Sequence, residues 1–202
     1  GFLFLKDKLM TVLSACKKKD WILVCDEAFI DFVKDGQNIT LLREVTRVKK
    51  LLVLRSFTKF FALPGLRIGY LVADKKLVDK ISPYQPPWSV NILAQRVASE
   101  VIKDKDYIRK SKEFIFKERE FFFKELEKIK NLQAFPPSAN FILCRLKKAS
   151  FNSTALSKKL GKLGILIRDC SNFQGLDNHY FRVAVRKREE NLKLLASLEK
   201  VL

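Results

Sequence analysis

The sequence predicts an α/β fold in which an open sheet is followed by a small α+β domain. Apolar runs at residues 21–25 and from residue 51 onward have the length and the Leu and Val content of buried strands, and helical patterns flank them. From residue 139 onward, short strand patterns again alternate with helical ones. With 202 residues and 48% hydrophobic content, the chain can bury a sizeable core in one or two domains.

The first part of the chain alternates helices and strands. Its first helix is predicted because Leu5, Leu9 and Leu13 recur at helical spacing. The strands are predicted from apolar runs that end in polar turns. The predicted elements are, in order, a helix over residues 2–17, a strand over 21–25, a short helix over 41–48, a strand from 51, a strand ending at 73 and a helix over 74–81.

Prolines mark the domain boundary and separate the second part. Ser82-Pro83 and Pro86-Pro87 cannot continue a helix, so we predict domains over residues 1–86 and 87–202. After the boundary, Ser89 is the expected N-cap of a helix. The predicted elements that follow are a long helix with apolar residues seven apart from 108 to 129, strands over 139–146, 165–169 and 180–186, a helix over 156–163 and a final helix to 202.

The net charge alone would suit a nucleic-acid interface, but its distribution along the chain argues against one. The chain has 40 Lys and Arg against 22 Asp and Glu, for a net charge of +18. Basic proteins often bind nucleic acids or anionic membranes, but acidic residues interleave with the lysines along residues 103–120. We therefore expect a solvated basic surface whose positive potential attracts phosphorylated substrates.

Other classes of site are also disfavoured. The four cysteines form no C-x-x-C pair and the single histidine, His179, has no ligand-like neighbours, so we expect neither a metal site nor a disulfide framework. No apolar run approaches the roughly 20 residues that span a bilayer. The first residues show no leader pattern, and we expect no membrane association and a cytoplasmic location.

One lysine stands out at the end of an apolar strand pattern. Phenylalanines surround Lys59 in the sequence and would desolvate its amine, which favours Schiff-base chemistry, although a lysine that only caps a strand is the alternative. Ser56, Thr58 and Arg67 offer the hydroxyls and the guanidinium that suit a phosphate monoester. Asp26 ends the preceding strand pattern, where ligands of open sheets collect. Together these groups match pyridoxal phosphate, which needs an amine, an acid for its ring nitrogen and phosphate donors.

Three segments resemble the fold type I pyridoxal-phosphate enzymes. They are DEAFIDF at residues 26–32, SFTKFFALPGLRIGY at 56–70 and NHYFRVAVRKREEN at 178–191. The chain is similar to the branch of histidinol-phosphate aminotransferase and L-threonine-O-3-phosphate decarboxylase. DEAFIDF, QPPWSVN at 85–91 and the segment 168–186 resemble the decarboxylase more closely than the aminotransferase.

The resemblance implies a fold and a set of roles. Residues 1–86 would form the C-terminal portion of a large domain with a mixed, mostly parallel sheet, and residues 87–202 would form linking helices and the small domain. The implied catalytic residues are Lys59, which binds the cofactor, and Asp26, which pairs with its ring nitrogen. The implied cofactor-binding residues are Asp26, Phe29, Ser56, Thr58, Lys59 and Arg67, and the implied substrate-binding residues are Arg168 and Arg182.

The resemblance also implies partners and a reaction. Relatives are homodimers that carry further strands and part of the cofactor site before Gly1, so the chain is expected to be truncated and to bind the cofactor weakly alone. Phe29 stands where the aminotransferases place a tyrosine, which favours decarboxylation of L-threonine O-3-phosphate in cobalamin biosynthesis. Transamination of histidinol phosphate is the second interpretation. A non-catalytic fragment, or a basic module that binds anions or nucleic acid, is the third. The neighbouring Glu27 is expected to tolerate substitution better than Asp26.

Overall fold

The computed structural model describes residues 3–147 and 151–202, so Gly1 lies outside the described residues. Contacts within the chain define two units, Leu3–Ser111 and Lys112–Leu202. The boundary predicted after residue 86 falls inside the first unit and stays a prediction. The helices are α1 (Lys6–Lys18), α2 (Gly36–Ile39), α3 (Phe57–Phe60), α4 (Lys75–Ile81), α5 (Ile92–Val101), α6 (Lys105–Lys128), α7 (Ser153–Lys162) and α8 (Arg188–Val201). The strands are β1 (Leu23–Asp26), β2 (Leu51–Ser56), β3 (Gly69–Ala73), β4 (Leu132–Ala134), β5 (Phe141–Leu146), β6 (Arg168–Asp169) and β7 (Tyr180–Ala184).

The first unit contains a mixed sheet with the strand order β1-β2-β3. Strands β1 and β2 are parallel, and Asp26 pairs with Leu54. Strand β3 runs antiparallel to β2, and Gly69 pairs with Ser56. This arrangement confirms the α/β class and brings the ends of β1 and β2 and the start of β3 to the same edge of the sheet.

The core of the first unit lies between α1 and the sheet. Its buried members are Leu13, Leu41, Val45, Leu51 and Val53. The predicted helix over 41–48 is wrong, because the structure has a 3-10 turn at Leu42–Glu44 instead. The physical reason is local, since β-branched residues lower helix propensity here and the amides of Glu44 and Val45 bond to carbonyls three residues earlier, as in a 3-10 helix.

Helix α5 begins two residues later than the sequence suggested. The Asn91 carboxamide oxygen accepts a hydrogen bond from the Ala94 amide at 2.8 Å, so Asn91 is the N-cap. The expected N-cap, Ser89, instead accepts a hydrogen bond from Gln85 at 2.6 Å. Small residues on α5, including the fully buried Ala94, pack in a second core cluster with Phe57.

The second unit is the expected α+β domain. Its sheet has the order β4-β5-β7-β6 with antiparallel neighbours throughout. The predicted alternation along β7 is confirmed, because Phe181 and Val183 are buried while Arg182 lies on the opposite face. The short strand β4 was not predicted, since three residues carry too little periodicity. Among the described residues, no helix combines the length and apolar character that crossing a bilayer requires.

A buried carboxylate joins two helices of this unit. Glu118 on α6 is 6% exposed and accepts hydrogen bonds from Arg188 at 2.9 to 3.1 Å and from Asn191 at 3.2 Å, both on α8. Hydrogen bonding to Arg188 lowers the pKa of Glu118, and burial only partly opposes it. The two helices are therefore linked by the buried Glu118 carboxylate, whose hydrogen-bonding and charge requirements are met by residues of α8.

We expect Glu118→Gln to lower the free energy of unfolding at about pH 7 by about 2 kcal/mol, because the charge-assisted bonds are lost. The folded-state pKa is below the unfolded one, so this stabilisation is present above about pH 4.3 and disappears as the pH falls through the folded-state pKa. Urea unfolding of both proteins at about pH 7 and about pH 3 measures it. Glu190→Gln, in an exposed pair with Arg186, is the control and should change stability much less. A difference that persists unchanged at acid pH would contradict the assignment.

Candidate active site

The predicted cofactor residues gather at one edge of the first sheet. Asp26 is the last residue of β1, and Ser56 is the last residue of the parallel neighbour β2. Thr58 and Lys59 follow directly in α3, while Arg67 precedes the start of β3, which pairs with the end of β2. Ligands of open α/β sheets bind at this carboxyl edge, so the topology makes it the candidate active site.

Two hydroxyls are held together at the end of β2. Ser56 caps α3, and its Oγ accepts the Thr58 amide hydrogen bond at 3.2 Å. The Ser56 Oγ and Thr58 Oγ1 atoms are 2.7 Å apart. Thr58 is 7% exposed, so its position is fixed by packing. The pair forms a compact donor set of the kind that binds a phosphate oxygen.

Lys59 is exposed at this edge, and its surroundings differ from the expectation. Phe57 and Phe60 are buried in the core, so they do not enclose the amine as predicted. The Lys59 Nζ atom lies 5.9 Å from the centroid of the Phe29 ring. Phe60 packs on Phe32 with centroids 5.4 Å apart, which connects α3 to the segment after β1. The structure therefore brings Lys59 and Phe29 together and leaves the amine accessible.

The two acids after β1 have different environments. Asp26 is exposed, and its Oδ1 accepts the Ala28 amide hydrogen bond at 2.9 Å. Glu27 is 6% exposed and accepts hydrogen bonds from Thr40 Oγ1 at 2.6 Å and from the Leu41 amide at 2.8 Å. Asp26 is therefore the carboxylate that a ligand can reach, whereas the Glu27 carboxylate is buried and hydrogen-bonded within the protein.

Sequence reasoning missed the partner of Glu27. Arg55 Nε lies 3.0 Å from Glu27 Oε2 in an ion pair, although its N–H is not aligned for a hydrogen bond. The Arg55 guanidinium also lies 3.4 Å from Asp31. Glu27 is therefore expected to matter for stability, because its removal would leave a largely buried cation with a weaker partner. The expectation that the reaction tolerates a change at Glu27 better than one at Asp26 stays a prediction. The sequence feature that could have indicated this ion pair is Arg55 itself, a charged residue inside the otherwise apolar strand β2.

The turn before β3 has an unusual backbone. Arg67 and Ala62 both adopt the left-handed region, with φ of 49° and 53°. The Arg67 side chain is exposed and donates a hydrogen bond to the Pro64 carbonyl at 2.9 Å. At Gly69, a Cβ would lie 2.7 Å from the Arg55 carbonyl oxygen, so the glycine permits close approach of β2 and β3. Such strained turns concentrate at functional sites.

The Cys25 thiol, next to Asp26, is not a nucleophile at neutral pH. Burial, followed by the charges of Glu27 and Asp26, raises the pKa of Cys25 to about 11. It therefore stays protonated. Across residues 3–147 and 151–202, no group of three or more His, Cys, Asp or Glu is placed to hold a metal ion.

The two predicted substrate arginines lie in the second unit and are neighbours there. Arg168 on β6 pairs directly with Arg182 on β7. The Arg182 guanidinium lies 4.5 Å from the Phe141 ring centroid, and that of Arg168 lies 5.3 Å from Phe173. Arg168 also donates a hydrogen bond to Asn172 at 2.9 Å. Like charges opposite each other destabilise a sheet, so this pair suggests an anion-binding role.

Asp169 fixes the strand that carries Arg168. Its carboxylate accepts hydrogen bonds from Ser153, Thr154 and the Ser171 amide at 2.7 to 2.9 Å. Burial alone would raise the pKa of Asp169, but these hydrogen bonds outweigh it and lower the pKa to about 2. The charged carboxylate thereby anchors β6 to the start of α7.

Comparisons with known proteins decide the family. The model of the aminotransferase class I and II family matches residues 1–198. The chain belongs to this family. A threonine-phosphate decarboxylase of Salmonella typhimurium is 36% identical over all of this chain and 54% of its own length. A protein of Caldanaerobacter subterraneus subsp. tengcongensis, provisionally named a threonine-phosphate decarboxylase, is 39% identical over 96% of this chain and 52% of its own length.

A solved structure gives the same fold. The histidinol-phosphate aminotransferase of Clostridium acetobutylicum superposes with a TM-score of 0.93 and 38% identity, covering 98% of this chain and 59% of that protein. The chain spans about half the length of the curated relatives it matches. The two units therefore correspond to part of an aminotransferase class I and II fold.

The family uses pyridoxal phosphate, and the residues at the sheet edge fit that cofactor. Lys59 offers an accessible amine, and Asp26 an exposed carboxylate on the adjacent strand end. The hydroxyls of Ser56 and Thr58, 2.7 Å apart, offer donors for a phosphate group. The donor set therefore matches an aldehyde cofactor that carries a phosphate and a basic ring nitrogen.

We expect Glu27→Gln to lower the free energy of unfolding by about 3 kcal/mol, because Arg55 loses its buried anion. Asp26→Asn is the matched control at the adjacent position and should leave stability unchanged, since Asp26 is exposed. Urea unfolding followed by circular dichroism compares the two variants. Equal losses of stability in both would contradict the structural role of Glu27.

Proposed function

We propose that the protein is a pyridoxal-phosphate-dependent enzyme that decarboxylates L-threonine O-3-phosphate in cobalamin biosynthesis. The observation that carries the proposal is the meeting of Lys59, the Ser56 and Thr58 hydroxyls and Asp26 at one sheet edge. Identity of 36% to a threonine-phosphate decarboxylase supports the choice of reaction. A cytoplasmic homodimer is part of the same proposal.

The residues of the first unit have separate tasks in this mechanism. When bound, pyridoxal phosphate supplies an electron sink for a bond to the substrate α-carbon. The Lys59 amine would hold the cofactor, and the Asp26 carboxylate would favour a proton on its ring nitrogen by ionic attraction. Ser56, Thr58 and Arg67 bind the phosphate group through hydrogen bonds and charge.

The substrate has anionic groups that need cations. Arg182 binds the α-carboxylate, and Arg168 is the second anion ligand. Their direct pairing on β6 and β7 provides two adjacent guanidinium forks. The orientation that the arginines give to the substrate's anionic groups decides which bond at the α-carbon breaks. The Phe29 ring, 5.9 Å from Lys59 Nζ, carries no hydroxyl for the cofactor's phenolic oxygen, and this favours decarboxylation over transamination.

Transamination of histidinol phosphate is the second candidate. The TM-score of 0.93 to the Clostridium acetobutylicum aminotransferase supports it, because that solved structure also shares 38% identity with the chain. Both candidates require phosphorylated substrates and the same cofactor. A non-catalytic module that binds anions is favoured only by the net charge of +18.

We expect borohydride reduction of the chain with pyridoxal phosphate to label Lys59 and no other lysine at stoichiometric yield. The reason is that, among the lysines the structure describes, only Lys59 combines an accessible amine with the paired hydroxyls of Ser56 and Thr58. Peptide mapping by mass spectrometry locates the label. Lys59→Ala should abolish it, whereas Lys75→Ala, an exposed lysine on α4, should not. A label spread over surface lysines would contradict the assignment.

The reaction itself is tested with L-threonine O-3-phosphate. We expect release of carbon dioxide and formation of aminopropanol phosphate, and Asp26→Asn should slow the release about a hundredfold. The assay uses the chain alone and the chain mixed with the N-terminal half of the Salmonella relative, because the chain spans about half of that protein. Conversion of histidinol phosphate without release of carbon dioxide from phosphothreonine would replace this proposal by the second candidate.

A further inference from the structure

The helical turn that carries Lys59 is short and ends abruptly. Helix α3 has four residues, too few to be stable by itself. In a longer helix the Phe60 carbonyl would bond to the amide four residues later, but that residue is Pro64, which has no N–H. The placement of the Lys59 backbone therefore depends on contacts from outside α3.

Tyr107, near the start of α6, supplies such contacts. Its hydroxyl donates a hydrogen bond to the Phe60 carbonyl at 3.0 Å. Its ring stacks on Phe61, with centroids 5.9 Å apart and planes 19° from parallel, and meets the Phe60 ring edge-on with centroids 6.2 Å apart. All these residues belong to the first unit, Leu3–Ser111. The carbonyl at the end of α3 is thus satisfied by a side chain that is 47 positions away in the chain.

Tyr107 is itself held in place. Asp104 Oδ1 accepts the Tyr107 amide hydrogen bond at 2.8 Å, and the Asp104 carbonyl accepts that of Ile108 at 3.1 Å, so the start of α6 is ordered. The Phe60 ring also packs on Phe32, with centroids 5.4 Å apart. Helix α3 is therefore contacted both by α6 and by the segment that follows β1.

We propose that Tyr107 is a positioning residue for the Lys59 amine. Ser56 caps the first residues of α3, and the Tyr107 hydroxyl holds its last carbonyl, so both ends of the turn are fixed. A reacting amine must be held close to the productive geometry by its supporting residues. Tyr107 acts through the backbone of Phe60, the residue next to Lys59. This inference rests on the proposed role of Lys59 as the lysine that binds pyridoxal phosphate.

The test uses Tyr107→Phe, which removes the hydroxyl and keeps the ring. Because Tyr107 is 37% exposed, we expect this variant to fold. The chain is treated with subsaturating pyridoxal phosphate and borohydride, and peptide mapping gives the ratio of label on Lys59 to label on the exposed Lys75. We expect the ratio to fall about fivefold, because the hydrogen bond that orders the end of α3 is lost.

The matched control is Tyr84→Phe, which removes a hydroxyl from an exposed tyrosine of the same unit. It should leave the ratio unchanged within about 1.5-fold, because an exposed side chain far from α3 in sequence contributes little to its order. The ratio also separates positioning from general stability. Parallel changes of the label on Lys59 and Lys75, together with a lower urea midpoint, would show that Tyr107 only stabilises the fold and would overturn the inference.

A second measurement needs no cofactor. The amides of Phe61 and Ala62 bond to the carbonyls of Phe57 and Lys59, both at 3.3 Å, so their hydrogen exchange reports on the order of α3. We expect exchange at these two amides to be about fivefold faster in Tyr107→Phe and unchanged in Tyr84→Phe.

The outcomes distinguish this inference from the proposed function. If the unsubstituted chain carries its label on other lysines, the proposed role of Lys59 fails and the inference fails with it. If Lys59 is labelled to the same ratio in the unsubstituted chain and in Tyr107→Phe, the inference alone is overturned and the role of Lys59 stands.

Discussion

The ion pair between Glu27 and Arg55 is the interaction on which the candidate active site depends. A buried carboxylate is costly unless it is paired and hydrogen-bonded, and Glu27 meets this requirement through Arg55, Thr40 and the Leu41 amide. These contacts connect the end of β1, the strand β2 and the turn at residues 40–41. Asp26 is adjacent to Glu27 in the chain, and Ser56 is adjacent to Arg55. The same contacts therefore position Asp26 and Ser56 at the edge of the sheet.

The second unit also contains a buried carboxylate that is paired with an arginine. Glu118 is buried on α6, and Arg188 and Asn191 on α8 satisfy it. In both units a carboxylate in an ion pair with an arginine joins elements that are distant in sequence. Apolar packing can be satisfied by several arrangements of the same surfaces, whereas a buried charge is satisfied only where its partner lies. We infer that these pairs fix positions at which apolar contact alone would allow slippage.

Local patterns in the sequence were sufficient for much of the fold. The apolar runs predicted β2 and β5, and the seven-residue spacing predicted the long helix α6, because periodicity reports burial on one face directly. The α/β class and the family were confirmed. The strand ends that carry Asp26 and Lys59 could be located for the same reason.

Features that depend on distant partners were beyond such patterns. The ion pair of Glu27 could not be predicted, because its partner, Arg55, is 28 positions away in the chain and only the sheet brings them together. The helix expected over residues 41–48 does not form, because the Glu44 and Val45 amides bond to the carbonyls of Leu41 and Leu42, three residues earlier, as in a 3-10 helix. Lys59 was expected to be enclosed by aromatic neighbours in sequence, but α3 turns Phe57 and Phe60 into the core. Side chains that are neighbours in sequence point to different sides of a single helical turn. They therefore need not enclose one another.

The arginines of the second sheet show how a cost in stability can indicate function. Arg168 and Arg182 are direct cross-strand neighbours, an arrangement that repels in the absence of an anion. Each guanidinium lies over an aromatic ring, which offsets part of the repulsion while leaving hydrogen-bond donors for a ligand. Asp169 adds a fixed negative charge beside Arg168, yet its oxygens are occupied by Ser153, Thr154 and the Ser171 amide. Because neutral donors hold the Asp169 oxygens, the two arginines stay available for the anion-binding role proposed for them.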